Sequence, residues 1–581
     1  MDEKTETTHV EVAHSRTAHI VPIDQEANED VKHVNLSWRS WMVVFCCCFA
    51  VMSQVFVVVA AGSVLSFIIR ELGEPAIASW IIQGPLLMQS VLSPPVGRLS
   101  DVLDRKLFAT IPPLIACVGA IICAKATSMS MLIGGGILIG TTLATISIVQ
   151  SIPSEILPLK YRALANGLAG VAGVMGGTVG SLAAGAVTNL SASGWRYIFW
   201  IQVALHGITS LGLFAFYWPK KRTDYPRMRF KEWAWACDPI GSLLLVAAAT
   251  LMLLALNWAG GAYRWSDPHV CANLTCGIVL FIAFCLYEWK GRSDGIVAHV
   301  FFSTGPNFWL STFAFTIEGW IYYSAINAVT PQVILNLGFE DNSWNIAIRQ
   351  LSYKVASIFT SLAVTWWATK FKDLITFTIM LIASICFAFI KPTWGTLQIV
   401  FTALTGIGCA GPLTLLVACI QYTAPHAFLS TATGLAFSAR AIGGSFGTAV
   451  IYAIVNSHVA SHLARDVGSA ATAAGLPASS VPALLAAMKG KSASSFKAGV
   501  VPGANEAIVA AAWNASHWSY ARAYKLAFWS IVPFVALATV AVVAMKGVKH
   551  LMTERVEASV EIEVEREDGK DGKDGKDGKG V

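Results

Sequence analysis

Residues 165–181, ANGLAGVAGVMGGTVGS, return in altered form at residues 432–448 as ATGLAFSARAIGGSFGT. Identities at one constant offset include Gly167 and Gly434, Ala172 and Ala439, Gly176 and Gly443, Gly177 and Gly444, and Gly180 and Gly447. Pro158 and Pro425 extend the match upstream. Within the copies small residues stand four apart, as at Gly173 and Gly177, Gly176 and Gly180, and Gly443 and Gly447. That spacing puts them on one face of a helix and lets a second helix approach closely. A duplicated helix-packing pattern predicts a chain built from two related helical halves.

Outward from the repeats the chain is apolar. Of 581 residues 55% are hydrophobic and 13% charged, about half the charged share of a soluble globular domain. The apolar residues form continuous blocks close to the length, about 20 residues, that crosses a bilayer as a helix. In hydrocarbon every backbone N–H and C=O must be paired internally, and continuous rather than alternating blocks select helices over a barrel. The expectation is an all-α polytopic membrane protein with spans at 41–69, 76–96, 107–124, 130–153, 163–187, 196–218, 239–258, 270–288, 306–330, 344–367, 373–390, 396–421, 430–456 and 523–546. An even number leaves both termini on one side. Loops on that side carry Arg98, Arg105, Lys106, Lys160, Arg162, Lys220, Lys221, Arg222, Arg227, Arg229, Lys231, Lys290, Arg292, Lys370 and Lys372. Basic residues in short loops mark the cytosolic face, so both termini are expected there. The same distribution argues against nucleic acid as a partner.

The expected organisation is a disordered cytosolic tail over 1–38, a six-helix bundle over 39–218, two inserted helices with linkers over 219–300, a second six-helix bundle over 301–546, and a disordered cytosolic tail over 547–581. The second bundle includes a long Ala/Ser-rich external loop, 457–521, with an amphipathic helix expected around 481–497. Two sequons, at Asn189 and Asn514, fall in loops of the external side and are candidates for glycosylation. The 12 cysteines lie mostly inside apolar blocks and show no metal-ligand spacing, so they read as small apolar fillers and no metal or cofactor is expected. Paired catalytic carboxylates, GxSxG, HExxH and phosphate-cradling loops are not found, which leaves an enzyme reading little support.

Internal repeats are a mark of secondary transporters, whose substrate sites lie between the halves near the membrane midplane. Specific motifs narrow this further. Gly97-Arg-Leu-Ser-Asp101-Val-Leu-Asp104-Arg105-Lys106 joins the second and third spans and resembles the loop signature of the major facilitator superfamily, Gly-x-Leu-x-Asp-x-x-Gly-Arg-Lys. Gly167, Gly176, Gly180 and Gly185 on the fifth span resemble the antiporter signature of drug exporters. Trp195-Arg-Tyr-Ile-Phe-Trp, Asp238-Pro-Ile-Gly and Asn257-Trp-Ala-Gly-Gly-Ala-Tyr-Arg-Trp265 are similar to segments of the 14-span drug:proton antiporters, and Met552-Thr-Glu-Arg-Val556 to the fungal trichothecene-efflux-pump and siderophore transporter families. The resemblance covers about residues 40–560. It departs from the pattern at Asp104 (for glycine), Ser181 (for proline), Gly136 (for a fourth-span arginine) and near Ser53 (for a first-span acid).

The resemblance implies two six-helix bundles plus two central helices, working by alternating access. It also implies a cytosolic gate of Gly97, Asp101, Arg105, Glu155 and Arg162, opened easily because surface ion pairs contribute only about 0–1 kcal/mol each. Proton coupling needs an ionisable group inside the membrane, where burial costs at least about 2.5–3.5 kcal/mol and so marks function. Glu318 is the candidate proton carrier. Arg440, which stands where the first repeat has Gly173, and Lys354 are candidates to tune it or to hold an anionic substrate group. Arg349 and His206 follow. The leading expectation is a monomeric exporter of a small organic molecule, a toxin, secondary metabolite or drug, in exchange for protons. It is expected in the plasma membrane, with a vacuolar or vesicle membrane as the other location. Ferric siderophore uptake is the second reading, and a non-transporting membrane sensor a third.

Overall fold

The computed structural model describes residues 36–553 and 556–557, apart from 75–76, 79, 192, 220–228, 260–262, 304, 341–342, 368–373 and 489–500. In chain order the long helices are α1 (Trp38–Leu72), α2 (Trp80–Val102), α3 (Arg105–Ala124), α4 (Met129–Ile156), α5 (Arg162–Leu190), α6 (Arg196–Phe216), α7 (Pro239–Trp258), α8 (Pro268–Leu286), α9 (Asn307–Gly319), α10 (Ser343–Trp367), α11 (Leu374–Ala388), α12 (Gly395–Thr423), α13 (Leu429–Ala473) and α14 (Glu506–Ala544). After Gly319 the winding of α9 loosens into a π-helical stretch, Trp320–Val329, and tightens again over Thr330–Asn336. Among the described residues there is no strand.

Local chemistry fixes many of the helix starts. Ser37, Asp104, Ser128, Asp267 and Asn505 each accept a hydrogen bond from a first-turn N–H of α1, α3, α4, α8 and α14. Ten described helices are long and apolar enough to cross a membrane. The other four, α2, α9, α10 and α11, occupy expected spans but carry prolines, charges, an irregular stretch or fewer residues. α2 holds Pro85, Pro94 and Pro95, α9 holds Glu318 and its π stretch, α10 holds Arg349 and Lys354, and α11 has 15 residues.

α1–α6 and α9–α14 form two halves with separate apolar cores, and α7 and α8 pack on each other beside α2 and α13. The sequence repeat is a repeat of packing. A Cβ at Gly176 on α5 would strike the Met52 carbonyl on α1, and one at Gly443 on α13 would strike the Thr316 carbonyl on α9. Equivalent glycines thus meet equivalent carbonyls in the first helix of each half. Glu318 follows Thr316 by two residues, as Gln54 follows Met52, so the carboxyl of one half corresponds to a carboxamide in the other.

Three expectations need correction. The 457–521 loop is largely helical: α13 runs on to Ala473 and α14 starts at Glu506. Val467, Ala471, Leu484, Val501, Ile508 and Ala512 close a small apolar core between these extensions and the short helix Val481–Met488. Alanine is the strongest helix former, so an Ala-rich segment continues the helices it joins. The rest of the expected 481–497 helix lies outside the described residues. The sequons fall in helices for the same reason: Asn189 is in the last turns of α5, and Asn514 is exposed on α14. Finally, the start of the C-terminal tail is docked rather than disordered, as described below. The tail before residue 36, the rest of that after 557, and Lys220, Lys221, Arg222, Arg227, Lys370 and Lys372 lie outside the described residues.

Candidate functional site

Glu318 and Arg440 meet in the interior of the second half. Arg440 Nε donates to Glu318 Oε2 at 2.5 Å and Nη2 to Oε1 at 2.9 Å, a two-pronged pair with both residues buried. Gly319 makes room for it, because a Cβ there would collide with the Arg440 backbone and Cγ. Phe315, Tyr322 and Tyr323 surround the guanidinium at 5.2, 4.6 and 5.1 Å. The π-wound stretch begins two residues after Glu318. Such stretches break the regular ladder and concentrate at functional sites. The arrangement reaches the other half through Tyr323: Arg440 Nη1 donates to its hydroxyl at 3.4 Å, and that hydroxyl donates to Gln89 Oε1 on α2 at 3.5 Å.

Lys354 on α10 also bridges the halves. Its Nζ donates to Gly177 O at 3.0 Å and Ser181 Oγ at 2.8 Å, both on α5. Ser181 stands where the antiporter signature has proline. Gly167 lets α5 lie against the second half, where a Cβ would collide with Thr365. At Gly180 a Cβ would come within 3.2 Å of the Phe56 carbonyl on α1. Gly185 lies farther along the same helix.

The end of the bundle where α1 begins, the near end, is sealed. Asp101 accepts from Ser430 N at 3.1 Å, from Thr431 N at 2.7 Å and from Thr431 Oγ1 at 2.7 Å, capping α13 from the opposite half. Arg105 donates to Asp101 at 2.6 Å and pairs with Glu155, which lies 3.0 Å from His426 Nε2. Arg162 donates to Gln421 O at 2.7 Å, while Ser154 and Asn166 both donate to Gln421 Oε1 at 2.8 Å. α2 and α13 cross with nothing between them. A Cβ at Gly97 would stand 2.5 Å from Ser430 O, and one at Gly434 would stand 2.5 Å from Ser93 O. The expected gate residues are therefore brought together, but the expectation of a solvated, easily opened cluster is corrected. Asp101, Arg105, Glu155 and Arg162 are each at most 3% exposed. Breaking a buried pair by removing one partner costs about 3–5 kcal/mol, far more than at a surface.

The C-terminal segment closes over this seal. Asn307 clasps the Lys546 backbone, donating to its carbonyl at 2.9 Å and accepting from its N–H at 2.7 Å. Leu551 packs among Leu159, Ala163, Ala418 and Tyr422, which come from both halves. Lys160 N donates to Thr553 O at 2.9 Å, and Glu557 pairs with Arg162. Ligand atoms of Glu155, His426 and Glu557 lie within 4.8 Å of one another. Arg105 and Arg162 already neutralise both carboxylates, so the three form part of an ion-pair network rather than a cation site.

The remaining candidates are elsewhere. Arg349 pairs with Glu340 at 3.0 Å and donates to Gly395 O at 2.8 Å, stapling the far-end turn between α9 and α10 to the start of α12. His206 is buried on α6 in the first half and is not brought to Glu318. Sequence reasoning missed Gln421, Gln89 and Arg98. Arg98 is fully buried, donates to Ala236 O and Asp294 O at 2.9 Å each, and lies over the Phe428 ring at 4.5 Å. It ties both flanks of the α7–α8 pair to the near end of α2. Its place inside the Gly97–Lys106 signature was the available signal, masked by its reading as a loop charge.

Comparisons with known proteins agree with this architecture. The chain is 25% identical over 546 residues to the MFS-type transporter prx5 of Penicillium rubens, covering 92% of this chain and 95% of that protein. It is 25% identical over 424 residues to the efflux pump FUS6 of Gibberella fujikuroi, covering 68% and 72%. Among solved structures, the proton:xylose symporter XylE bound to a deoxyglucose derivative matches with a TM-score of 0.51 at 11% identity, over 73% of this chain and 90% of that one, a likeness of fold alone. The sequence profile of the Major Facilitator Superfamily matches residues 43–448. The chain therefore belongs to the Major Facilitator Superfamily and is a multi-pass membrane transporter.

Proposed function

We propose that the protein exports a small organic molecule, a secondary metabolite or toxin, from the cytosol in exchange for protons. The observation that carries this reading is the buried Glu318–Arg440 pair, linked through Tyr323 to Gln89 of the other half. In this arrangement the arginine supplies the counter-charge of the carboxylate. When the halves rearrange and the guanidinium turns to Tyr323 or to substrate, a proton replaces it as the partner of the carboxylate. Proton exchange and conformation are thereby linked. The state with the near end sealed is the one in which cargo leaves and a proton enters on the far side. On this reading the near end faces the cytosol, as the basic loop residues support, and the membrane is the plasma membrane. The name of the FUS6 relative supports the direction.

The test is proton-driven transport in proteoliposomes across a range of pH, with wild type beside Glu318→Gln. Export along an imposed inward proton gradient, with the pH response abolished in the variant, is expected. An unchanged pH response in Glu318→Gln would remove Glu318 from the coupling step.

A further inference from the structure

At the junction of the two halves Lys354, which is half-buried, stands without an opposite charge. Glu318 is matched by Arg440, Asp101 and Glu155 by Arg105, and Asp238 by Arg292. No acidic side chain among the described residues pairs with Lys354, whose partners are one carbonyl and one hydroxyl. An ammonium group has three N–H donors, and these two bonds leave one over. Of Glu318, Arg440 and Lys354 the first two cancel, which leaves the positive charge of Lys354. A lone charge at membrane depth is costly and is retained where it is used.

Its position fits such a use. Lys354 projects from the second half onto α5, where Gly177 lies one turn beyond Gly173, the repeat equivalent of Arg440. The preceding residue, Tyr353, has its ring 6.3 Å from that of Tyr322, which flanks Arg440. One cationic group, the aromatic rings and the proton-exchanging pair therefore border the same junction of the two halves. Both hydrogen bonds of Lys354 cross that junction, so whatever takes the ammonium away also loosens α10 from α5.

We propose that Lys354 is the anion-recognising residue of the transport path, so that the exported molecule is an organic anion of unit charge whose binding draws the ammonium off Gly177 and Ser181. The proposal rests on the export reading above and adds the charge class of the cargo. The anion supplies the missing counter-charge, meets the free N–H first and then replaces the bonds to Gly177 and Ser181, which frees α10 from α5. A neutral molecule of the same shape leaves the bonds to Gly177 and Ser181 in place. Capture of the anion and release of these two bonds thus couple loading to movement without a separate device.

Two naphthalene probes of similar shape test this: 8-anilinonaphthalene-1-sulfonate, an anion, and N-phenyl-1-naphthylamine, which is neutral. Proton-driven movement of each is measured in proteoliposomes with wild type, Lys354→Gln, Lys354→Arg and Ser181→Ala. A hydrogen-bonded charge pair corresponds to about a tenfold or larger change. Read as the ratio of anion to neutral-probe movement, wild type is expected to prefer the anion, Lys354→Gln to lose that preference about tenfold, and Lys354→Arg to retain most of it. Ser181→Ala removes one bond across the junction but keeps the cation, and is expected to keep the preference. An unchanged preference in Lys354→Gln overturns the proposal. So does an equal loss in Ser181→Ala, which would make Lys354 only a strut between the halves. If wild type moves neither probe along a proton gradient, the export reading fails. The charge assignment is then decided by fluorescence of the sulfonate bound to purified protein: weaker binding in Lys354→Gln upholds it and equal binding overturns it.

Discussion

Thr431 in the second half gives both its backbone N–H and its hydroxyl to the Asp101 carboxylate in the first. The first turn of α13 has unsatisfied N–H groups and the positive end of a helix dipole, and Asp101 answers both from across the junction. A cap that normally sits within one helix is here a bond between two bodies that must separate.

Asp101→Asn keeps one acceptor oxygen and removes the charge. Charge–dipole interactions in partly buried geometry contribute up to about 2 kcal/mol, so near-end opening should rise by about tenfold or more. Maleimide labelling of a cysteine placed at Gln421 reads this directly. Labelling equal to that of the Asp101-containing parent counts against the cap as a closing element.

Arg440→Ala leaves Glu318 buried without its partner and should destabilise the detergent-solubilised protein by about 3–5 kcal/mol. The pair-removing variant, Glu318→Gln with Arg440→Gln, should recover a large part of that loss. Thermal unfolding of the three proteins checks the order. A double variant no more stable than Arg440→Ala would mean the pair is not the source of the loss.

Ending the chain after Lys546 removes Leu551, Thr553 and Glu557 from the near-end seal. Burial of a Leu-sized side chain contributes about 1.5–3 kcal/mol, so the shortened protein should spend more time open at that end. Higher maleimide reactivity of a cysteine at Leu159 is the expected readout, with Leu551→Ala giving an intermediate value.

At the far end Glu71 accepts from Trp195 Nε1 at 2.7 Å and pairs with Arg196 at 2.5 Å, joining α1 to α6. Burial pushes its carboxyl up, but hydrogen bonds from Trp195 and Arg196 and the Arg196 charge outweigh that and hold it below its ordinary value of 4.5. A depressed carboxyl stabilises above its unfolded value and loses that contribution as pH falls through the folded one. Glu71→Gln should therefore lower the unfolding temperature at pH 7, by no more than solvent-screened pairing of about 1 kcal/mol allows. The gap to wild type should close only below pH 4.5 or so. A gap that already changes between pH 5 and 8 would show that another group is responsible.

Much of this was legible in the sequence because it is written in short-range patterns. The glycines at 176 and 443 announced tight helix crossings, and those crossings occur at matching points of the two halves. Gly97, Asp101 and Arg105 fall within one signature and assemble as a unit. What the sequence conceals depends on long-range partners. Gln421 is inconspicuous among apolar neighbours, and only the fold shows Ser154, Arg162 and Asn166 converging on it. The pairing of Glu318 with Arg440 was open among several cations, because residues 122 apart meet only through packing. The docking of the tail was hidden because a charged, glycine-containing end reads as solvated, while the apolar anchor is the short run of Leu551 with Val548 and Met552.

The bare crossing at Gly97 and Gly434 bears on how the molecule moves. Elsewhere between the halves, side chains interlock and must change rotamer or surrender bonds before anything shifts. Where backbone lies on backbone no side chains interlock, so once the Asp101 bonds to the start of α13 are released α2 and α13 can turn on each other like the blades of scissors about a rivet. Swing would then grow with distance from that rivet. Adding even a methyl group at either glycine should stiffen the whole stroke, and would do so without touching any residue that handles cargo or protons.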